Sequence, residues 1–236
     1  MIKIEDFLKA YDTKKAKELE HKDPQFLALK NCRKNIKNKN ENLFLYLVIQ
    51  CAIVSYQIAW NGESRWTEFW EKTQKDWNIL LNIWNNNESN TERRFTFLKS
   101  SKNNKRIYNI KKSRIEKLNK LLLTEKELLK YENNLEKLNE ILAKIMWTKN
   151  YSKTIVFSIK MFGYAYTIIS WKEIQYPMNI NIPVDSRIKK IYKLNTGKEA
   201  DESKIRKFFA DLSQKYNISP LDLDTILRLD YRKTIK

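Results

Sequence analysis

Glycine, proline, cysteine and histidine are scarce in this chain of 236 residues, which has 3, 4, 2 and 1 of them respectively. So few glycines and prolines argue against a loop-rich or β-hairpin architecture, because the turns of such folds depend on these two residues. Cys32 and Cys51 lie in apolar or helical surroundings without a Cys-x-x-Cys spacing. This favours buried thiols in a reducing compartment over a disulfide or a metal site. The single histidine, His21, excludes the usual histidine-based acid–base catalysis.

Acidic residues are outnumbered as well, since 46 Lys and Arg face 28 Asp and Glu, giving a formal charge of +18 and a pI of about 9.7. Such a surplus favours a polyanionic partner, nucleic acid first and an anionic membrane second. An AT-rich genome, or an extremophile that uses lysine freely, would give the same composition. Residues 1–6 turn polar at once and contain no secretory signal, so we expect a cytoplasmic, nucleoid-associated protein.

Composition and apolar periodicity together predict an all-α protein, long enough for one large domain or two small lobes. Residues 42–60 are nearly uncharged, and a membrane span is conceivable there. Gln50, Ser55 and Gln57 within this run favour instead a helix buried on all sides of a soluble domain. A polar break around 85–105 is the predicted lobe boundary or mobile loop. The other predicted helical segments are 3–20, a helix beginning at Pro24, 107–121, 124–146, 153–166, 186–192, 201–216 and 220–231.

Two helical surfaces carry distinctive side chains. Four tryptophans between positions 66 and 84 follow steps of 4, 7 and 7 residues and so form one stripe, which core packing explains. The segment 107–121 carries a run of basic residues. Such a run is typical of a solvated helix face, and in a chain this basic it is equally typical of a surface that contacts phosphates.

The segment 147–187 suggests imine chemistry. Ser152 is a good N-cap, and the apolar residues after it favour a helix beginning at Lys153. Positive charge is disfavoured at a helix N-terminus, so Lys153 has a reason to lose its proton, and a neutral amine is a nucleophile. Asp185 follows a proline-fixed extended segment and opens a second helix, where a carboxylate stays ionised. Lys160 lies two turns after Lys153 on roughly the same face; it is the other candidate for the imine, without the helix-start effect.

The same segment resembles a known family. Residues 153–166 and 182–187 are similar to motifs of the archaeal 8-oxoguanine DNA glycosylase (AGOG) family, which belongs to the helix-hairpin-helix glycosylase/lyase superfamily. Shorter matches are Asp-Pro-Gln at 23–25, Gly-Glu-Ser-Arg-Trp at 62–66 and Ser-Pro-Leu-Asp-Leu-Asp-Thr at 219–225. The resemblance implies a single helix-hairpin-helix glycosylase-like domain over 1–236, made of two helical lobes with the active site in the cleft between them.

The resemblance also assigns roles to individual residues. It implies that Lys153 attacks C1′ of the deoxyribose of an 8-oxoguanine nucleotide taken out of the DNA stack, and that Asp185 supports the positive charge developing there. The Schiff base that forms would then permit β-elimination. Phe157 and Trp66 would stack on opposite faces of the extruded base. The other residues that the resemblance assigns to substrate binding are Gln25, Lys160, Asp224, Ser55 and Pro183. It implies no cofactor and no metal, and we expect a monomer that binds double-stranded DNA with oxidised guanine and no membrane.

Other functions are compatible with parts of the sequence. A non-catalytic helical DNA-binding protein would explain the charge and the hairpin, but it has no use for the pair of Lys153 and Asp185. An enzyme for another damaged base, or for RNA, would keep that pair. By its spacing alone Gln25 is a solvated polar residue at the first turn of a helix.

The sequence departs from the wider superfamily at one place, in agreement with the atypical hairpin of the archaeal family, and from the archaeal family at another. The hairpin at 147–153 lacks the Leu-Pro-Gly-Val-Gly signature of the wider superfamily, and Asn150 is its only residue that tolerates the left-handed conformation. Arg228 stands where the family carries a tryptophan. This second departure predicts weaker or differently built discrimination between 8-oxoguanine and guanine.

Overall fold

The computed structural model describes residues 3–57, 62–86, 98–102, 106–122 and 127–234. Within these ranges the chain forms helices and no strand, which confirms the all-α prediction. Most of the predicted break at 85–105, the side chains of 62–65 and the beginning of the predicted 124–146 segment lie outside the described residues.

The helices are numbered in chain order. They are α1 Ile4–Leu8, α2 Thr13–Glu20, α3 Pro24–Asn35, α4 Glu41–Ile53, α5 Gly62–Asn85, α6 Tyr108–Leu122, α7 Leu135–Ile145, α8 Lys153–Ser170, α9 Ser186–Thr196, α10 Glu202–Tyr216, α11 Pro220–Ile226 and α12 Arg232–Thr234. A 3₁₀ turn, Leu128–Tyr131, precedes α7, and a π-helical segment, Leu227–Tyr231, joins α11 to α12.

The larger hydrophobic core surrounds α4. Every residue of α4 from Leu43 to Ile53 is buried, because its side chains are apolar all round apart from Gln50. This helix packs mainly against α8, and α3, α5, α6 and α7 complete the cluster. The tryptophan stripe of α5 lies inside it, at 1 to 4% exposure, which confirms the core reading of Trp70, Trp77 and Trp84.

A second core joins the two ends of the described chain. Its buried residues come from α1, α2, α9, α10, α11 and the π-helical segment. Polar contacts close it, since the Ile4 N–H donates to Asn195 Oδ1 at 2.9 Å and the Tyr11 hydroxyl bonds Asp230. The division into two lobes with a cleft between them stays a prediction.

Local capping chemistry places several helix starts where the sequence predicts them. Asp23 and Asp185 accept backbone N–H groups at the starts of α3 and α9, and Ser219 does so at the start of α11. Pro24 and Pro220 follow two of these caps, where a missing N–H costs nothing.

Three predicted helices are shorter or broken in the structure. The 3–20 segment divides into α1 and α2, because Asp12 turns its side chain onto the Lys15 N–H and starts a new helix. Asn134 does the same at the start of α7. The predicted 42–60 helix ends at Ile53, well short of a membrane-spanning length, and none of the described helices could cross a bilayer.

Candidate active site

The start of α8 has no side-chain cap, and its first residue is exposed. Ser152 occupies the N-cap position as predicted, but its side chain caps no backbone N–H and its Oγ lies 2.6 Å from Thr148 Oγ1 instead. Lys153, the first residue of the helix, is exposed. An amine at the surface, beside the positive end of a helix, can meet a reactant arriving from solvent.

Asp185 is held firmly at the start of α9. Its Oδ1 accepts the N–H groups of Arg187 at 2.9 Å and Ile188 at 3.0 Å, and its Oδ2 accepts Arg187 Nε at 2.8 Å. Burial raises the pKa of Asp185, but the charge and hydrogen bonds of Arg187, the Ile188 N–H and the charge of Lys153 together outweigh it. The pKa therefore lies below its usual value, and the carboxylate is ionised at neutral pH.

The two candidate lysines have opposite surroundings. Lys160 is 1% exposed, and its Nζ forms an ion pair with Asp224 Oδ2. Lys153 is exposed and close enough to Asp185 for its charge to act on that carboxylate. A nucleophile must reach its substrate, and Lys160 could do so only by breaking a buried ion pair. The geometry favours Lys153.

The two aromatic candidates touch each other directly. The Trp66 and Phe157 rings meet edge to face, with centroids 6.0 Å apart and planes at 71°. Trp66 is only 1% exposed and also stacks on Trp70 at 6.1 Å, so it is fixed in the core. Phe157 is half-buried, one turn after Lys153, and is the less enclosed ring of the two.

Gln25 is positioned by a buried carboxylate. Asp23, which is wholly buried, accepts the Gln25 N–H at 2.9 Å and the Tyr164 hydroxyl at 2.7 Å. It also forms a two-pronged ion pair with Arg228, the residue that departs from the family pattern. Gln25 itself is 9% exposed, so the structure contradicts its reading as a solvated side chain. Arg228 thus acts on the candidate site through the support of Gln25.

The last two candidates lie in connections next to helices. Ser55 follows α4 and donates its hydroxyl to the Cys51 carbonyl at 2.7 Å. Pro183 is buried, two residues before Asp185. Thus Lys153 lies near Asp185, Lys160 pairs with Asp224, and Trp66 contacts Phe157, whereas no contact between Ser55 and another candidate is described.

A buried polar network beside these residues was not predicted. Lys17 is 2% exposed, pairs with Glu20 at 3.2 Å and Asp222 at 2.7 Å, and lies 3.9 Å from the Tyr176 ring centre. Tyr176 packs over Gly163, where a Cβ would overlap its ring. Burial raises the pKa of Glu20 to about 7, although Lys17 opposes this. The one signal in the sequence was the i, i+3 spacing of Lys17 and Glu20, which a surface pair shares.

A cavity of about 280 Å³ adjoins the network between α9 and α11. Arg187, Lys190, Arg228 and Arg232 line it together with Asp224, so the cavity is strongly positive. The cavity lies between Arg187, which holds Asp185, and Asp224, which pairs with Lys160. It is therefore a candidate entrance for an anionic substrate.

The connection between α7 and α8 contains an exposed aromatic residue that was also missed. Trp147 is 84% exposed and has φ +51°, although Asn150 is the residue of this hairpin that tolerates the left-handed conformation by its side chain. Lys117 lies 4.3 Å from the centre of the Trp147 ring, which ties the basic helix α6 to this hairpin. Left-handed backbone in a non-glycine residue is concentrated at functional sites, so the exposed hairpin is a candidate contact surface.

Among the described residues, no group of three His, Cys, Asp or Glu side chains could hold a metal ion. Cys32 and Cys51 are both buried, as the sequence predicts.

Comparison with known proteins gives a consistent picture. The family model AGOG, described as N-glycosylase/DNA lyase, matches residues 5–232. An N-glycosylase/DNA lyase of Methanococcus maripaludis is 40% identical over 223 residues, which is 92% of this chain and 82% of the relative. Its counterpart in Thermococcus kodakarensis is 35% identical over 230 residues, 95% of this chain and 81% of the relative.

One solved structure has the same fold. The crystal structure of Pa-AGOG from Pyrobaculum aerophilum, an 8-oxoguanine DNA glycosylase in complex with 8-oxoguanosine, superimposes with a TM-score of 0.76. The match covers 95% of this chain and 84% of that one, at 22% sequence identity. All-helical architecture is therefore shared along nearly the whole length.

Proposed function

The chain belongs to the AGOG family of N-glycosylase/DNA lyases, and we propose that it removes 8-oxoguanine from double-stranded DNA through a Schiff base on Lys153 and then nicks the strand. It is a DNA glycosylase and lyase by family, and its named relatives carry that activity. The lesion and the covalent mechanism are the proposal. Both residues of the proposed catalytic pair belong to one chain, so a monomer suffices.

The observation that carries the proposal is the exposed Lys153 beside an ionised Asp185. Lys153 begins a helix whose N-cap side chain bonds elsewhere, so its exposed amine lies at a helix start without a side-chain cap. Asp185 is kept charged by Arg187 and the helix start. An exposed amine, the group that can act as a nucleophile, thus lies close to a carboxylate that keeps its charge.

Each bond change can be assigned to these two groups. The neutral Lys153 amine attacks C1′, the C1′–N9 bond breaks, and the base leaves with a proton. Asp185 stabilises the positive charge that develops on the sugar before the new bond is complete. The C1′–O4′ bond breaks as O4′ takes a proton from water, which gives an iminium between C1′ and Lys153. Asp185 then takes a proton from C2′, and the electron pair left behind expels the 3′ phosphate, which is the lyase step.

Entry of the base requires a movement of Phe157. A flat base stacked between two rings needs the rings about 7 Å apart, which is twice the usual contact distance. Trp66 and Phe157 instead meet edge to face. Because Trp66 is packed in the core, we propose that Phe157 rotates to admit the base and then stacks on it. Lys160 and Asp224 would meet its polar edge as a pair, with Gln25 held opposite by Asp23.

Borohydride trapping tests the nucleophile directly. A duplex with one 8-oxoguanine is incubated with the protein and reduced, and covalent complexes are counted on a denaturing gel. Lys153→Gln should abolish the adduct. Lys149→Gln is the matched control, since Lys149 is an exposed lysine on the same hairpin and should still be trapped.

Lys160→Gln is a less direct comparison, because it strands a buried Asp224. It should trap weakly, in proportion to the folded fraction measured by circular dichroism. An adduct that persists in Lys153→Gln would overturn the assignment. Parallel duplexes with guanine, uracil or an abasic site define the lesion range; excision of one of those bases in preference to 8-oxoguanine would overturn the substrate.

A further inference from the structure

A second cavity lies far from Lys153, at the other end of α8. It has a volume of about 360 Å³ and opens between α3 and the end of α8. Its lining on α8 begins at Thr167, fourteen residues beyond Lys153, which places it about 21 Å along the helix axis from the proposed nucleophile. A nucleotide at Lys153 therefore cannot fill it. We call this cavity the α3–α8 pocket.

The pocket is apolar inside. Phe26 lines it, stacked against His21 with ring centres 4.9 Å apart and planes at 15°. Ile168 forms part of the wall. Trp171 stands at the end of α8 with 83% of its surface exposed and φ +60°. Trp171 is thus an exposed aromatic ring, in a left-handed backbone conformation, beside an apolar cavity. An apolar side chain of a partner could enter the cavity and pack against this ring.

The rim of the pocket is cationic. Lys30, Lys34 and Lys39 line it, all exposed, and none of them has an ion pair among the interactions of the described residues. Glu173 is the acidic residue in the described lining. A partner that reaches the apolar interior must pass three unneutralised ammonium groups, which favours a negatively charged partner.

One residue of the pocket lining has a buried donor without an acceptor. Arg33 lines it with a side chain 9% exposed. Its Nη2 pairs with Glu41, but its Nη1 has no hydrogen-bond partner. Burial lowers the pKa of Arg33 although Glu41 opposes this, so the guanidinium is only partly compensated. A carboxylate brought to this edge would supply the missing acceptor.

We propose that the α3–α8 pocket binds an acidic peptide segment of a partner protein, with one aromatic or large aliphatic side chain as its anchor. The anchor would enter beside Phe26 and Trp171, and flanking carboxylates would meet Arg33 and the rim lysines. A nucleotide fits less well, because the wall is apolar at Phe26 and Ile168, and a base edge would meet only the ring nitrogens of His21 and Trp171 and the Thr167 hydroxyl among the uncharged groups of the described lining. The volume matches a single anchor rather than a long segment. This site is independent of the proposed glycosylase mechanism.

Fluorescence anisotropy with three labelled peptides tests the proposal. Asp-Asp-Phe-Asp-Asp should bind in about 0.15 M salt, where long-range attraction is screened. Asp-Asp-Ala-Asp-Asp, which lacks the anchor, and Asn-Asn-Phe-Asn-Asn, which lacks the charge, should each bind roughly tenfold more weakly. The comparison with the Ala peptide, which keeps the charge, is essential, because a protein of formal charge +18 attracts any acidic peptide to some extent.

Variants locate the binding in the pocket. Trp171→Ala and Arg33→Lys should each weaken the Phe peptide roughly tenfold, and Arg33→Lys does so without changing the net charge. Lys34→Gln should weaken it more than Lys198→Gln, which removes the same charge from an exposed turn outside the pocket. All four variants should excise 8-oxoguanine at the unaltered rate, since none touches the candidate active site. A failure of the glycosylase proposal would therefore leave this result standing.

Three results would overturn the proposal. One is equal binding of the Phe and Ala peptides, which means charge attraction alone. Another is an equal loss of affinity for the Phe peptide in Lys34→Gln and Lys198→Gln, together with an unchanged affinity in Trp171→Ala. The third is displacement of the peptide by thymidine 5′-monophosphate at a lower concentration than by unlabelled Phe peptide, which would make this a nucleotide site.

Discussion

Removal of the Arg228 guanidinium gives a quantitative test of how Gln25 is held. Arg228 and Asp23 form a buried ion pair, with side chains 10% and 0% exposed. Burial lowers the pKa of Arg228 to about 10, partly opposed by the charge of Glu20, so the arginine stays charged at neutral pH. In Arg228→Met the Asp23 carboxylate keeps the Tyr164 hydroxyl and the Gln25 N–H but loses its counter-charge.

The expected cost is about 3–5 kcal/mol of unfolding free energy, the usual penalty for a buried charge that has lost its partner. A second change should recover most of it. In the double variant Asp23→Asn/Arg228→Met the buried charge is gone, yet Asn caps a helix as well as Asp does and still presents an oxygen to the Gln25 N–H. The coupling energy in this cycle should therefore amount to several kcal/mol.

Urea unfolding of the four proteins of the cycle measures the stability, and single-turnover excision measures the effect on Gln25. The excision rate should fall in Arg228→Met, measured where the protein is still folded, and return towards the native rate in the double variant. A cost below about 1 kcal/mol for Arg228→Met would show that the pair is solvated after all. A double variant no more stable than Arg228→Met would show that the loss comes from packing and not from charge.

Three further predictions concern charge. The Asp185→Asn variant should keep the α9 cap and lose the Arg187 ion pair, so its free energy of unfolding should change by about 1 kcal/mol or less. Its single-turnover excision rate should fall about 10²-fold or more. An unchanged excision rate would show that Asp185 acts only as a helix cap. Burial raises the pKa of Glu20 to about 7, so its contribution to stability is full below its unfolded pKa and is lost as the pH rises through about 7. In urea titrations from pH 5 to pH 8, the Glu20→Gln variant should not show this decline in the free energy of unfolding. An identical decline in the variant would refute the assignment. DNA affinity should fall on the order of 10³-fold between about 50 and 200 mM salt if about six phosphates are contacted, and an affinity insensitive to salt would contradict phosphate binding by the basic surface.

Local chemistry made much of the fold predictable. A side chain that caps its own helix acts over two or three residues, so Asp23, Asp185 and Ser219 could be identified from the sequence. The same principle explains the errors, because Asp12 and Asn134 also cap helices and thereby divide segments whose apolar periodicity continued across them. Periodicity measures which face is buried and does not register a competing cap.

The site was predictable in its residues and unpredictable in its pairings. Lys153 and Asp185 follow from their helix starts, but the pair of Lys160 with Asp224 joins residues 64 positions apart, and that of Arg228 with Asp23 joins residues 205 apart. No local signal specifies a partner at such a distance. Arg228 could be recognised as a departure from the family pattern, but its role in holding Asp23 required the packed chain.

These long-range pairs also fix the position of α8 and with it that of its first residue. Apolar packing alone tolerates small shifts of a helix, since one aliphatic contact replaces another at little cost. A buried ion pair does not, because a shift of about 1.5 Å, one residue along the axis, would strand a charge. Lys160 ties α8 to α11 through Asp224, and Tyr164, one turn on, ties it to the start of α3 through Asp23. Lys160 and Tyr164 therefore fix the register of α8 two and three turns after Lys153. The exposed amine is thus held in place by residues that are themselves buried.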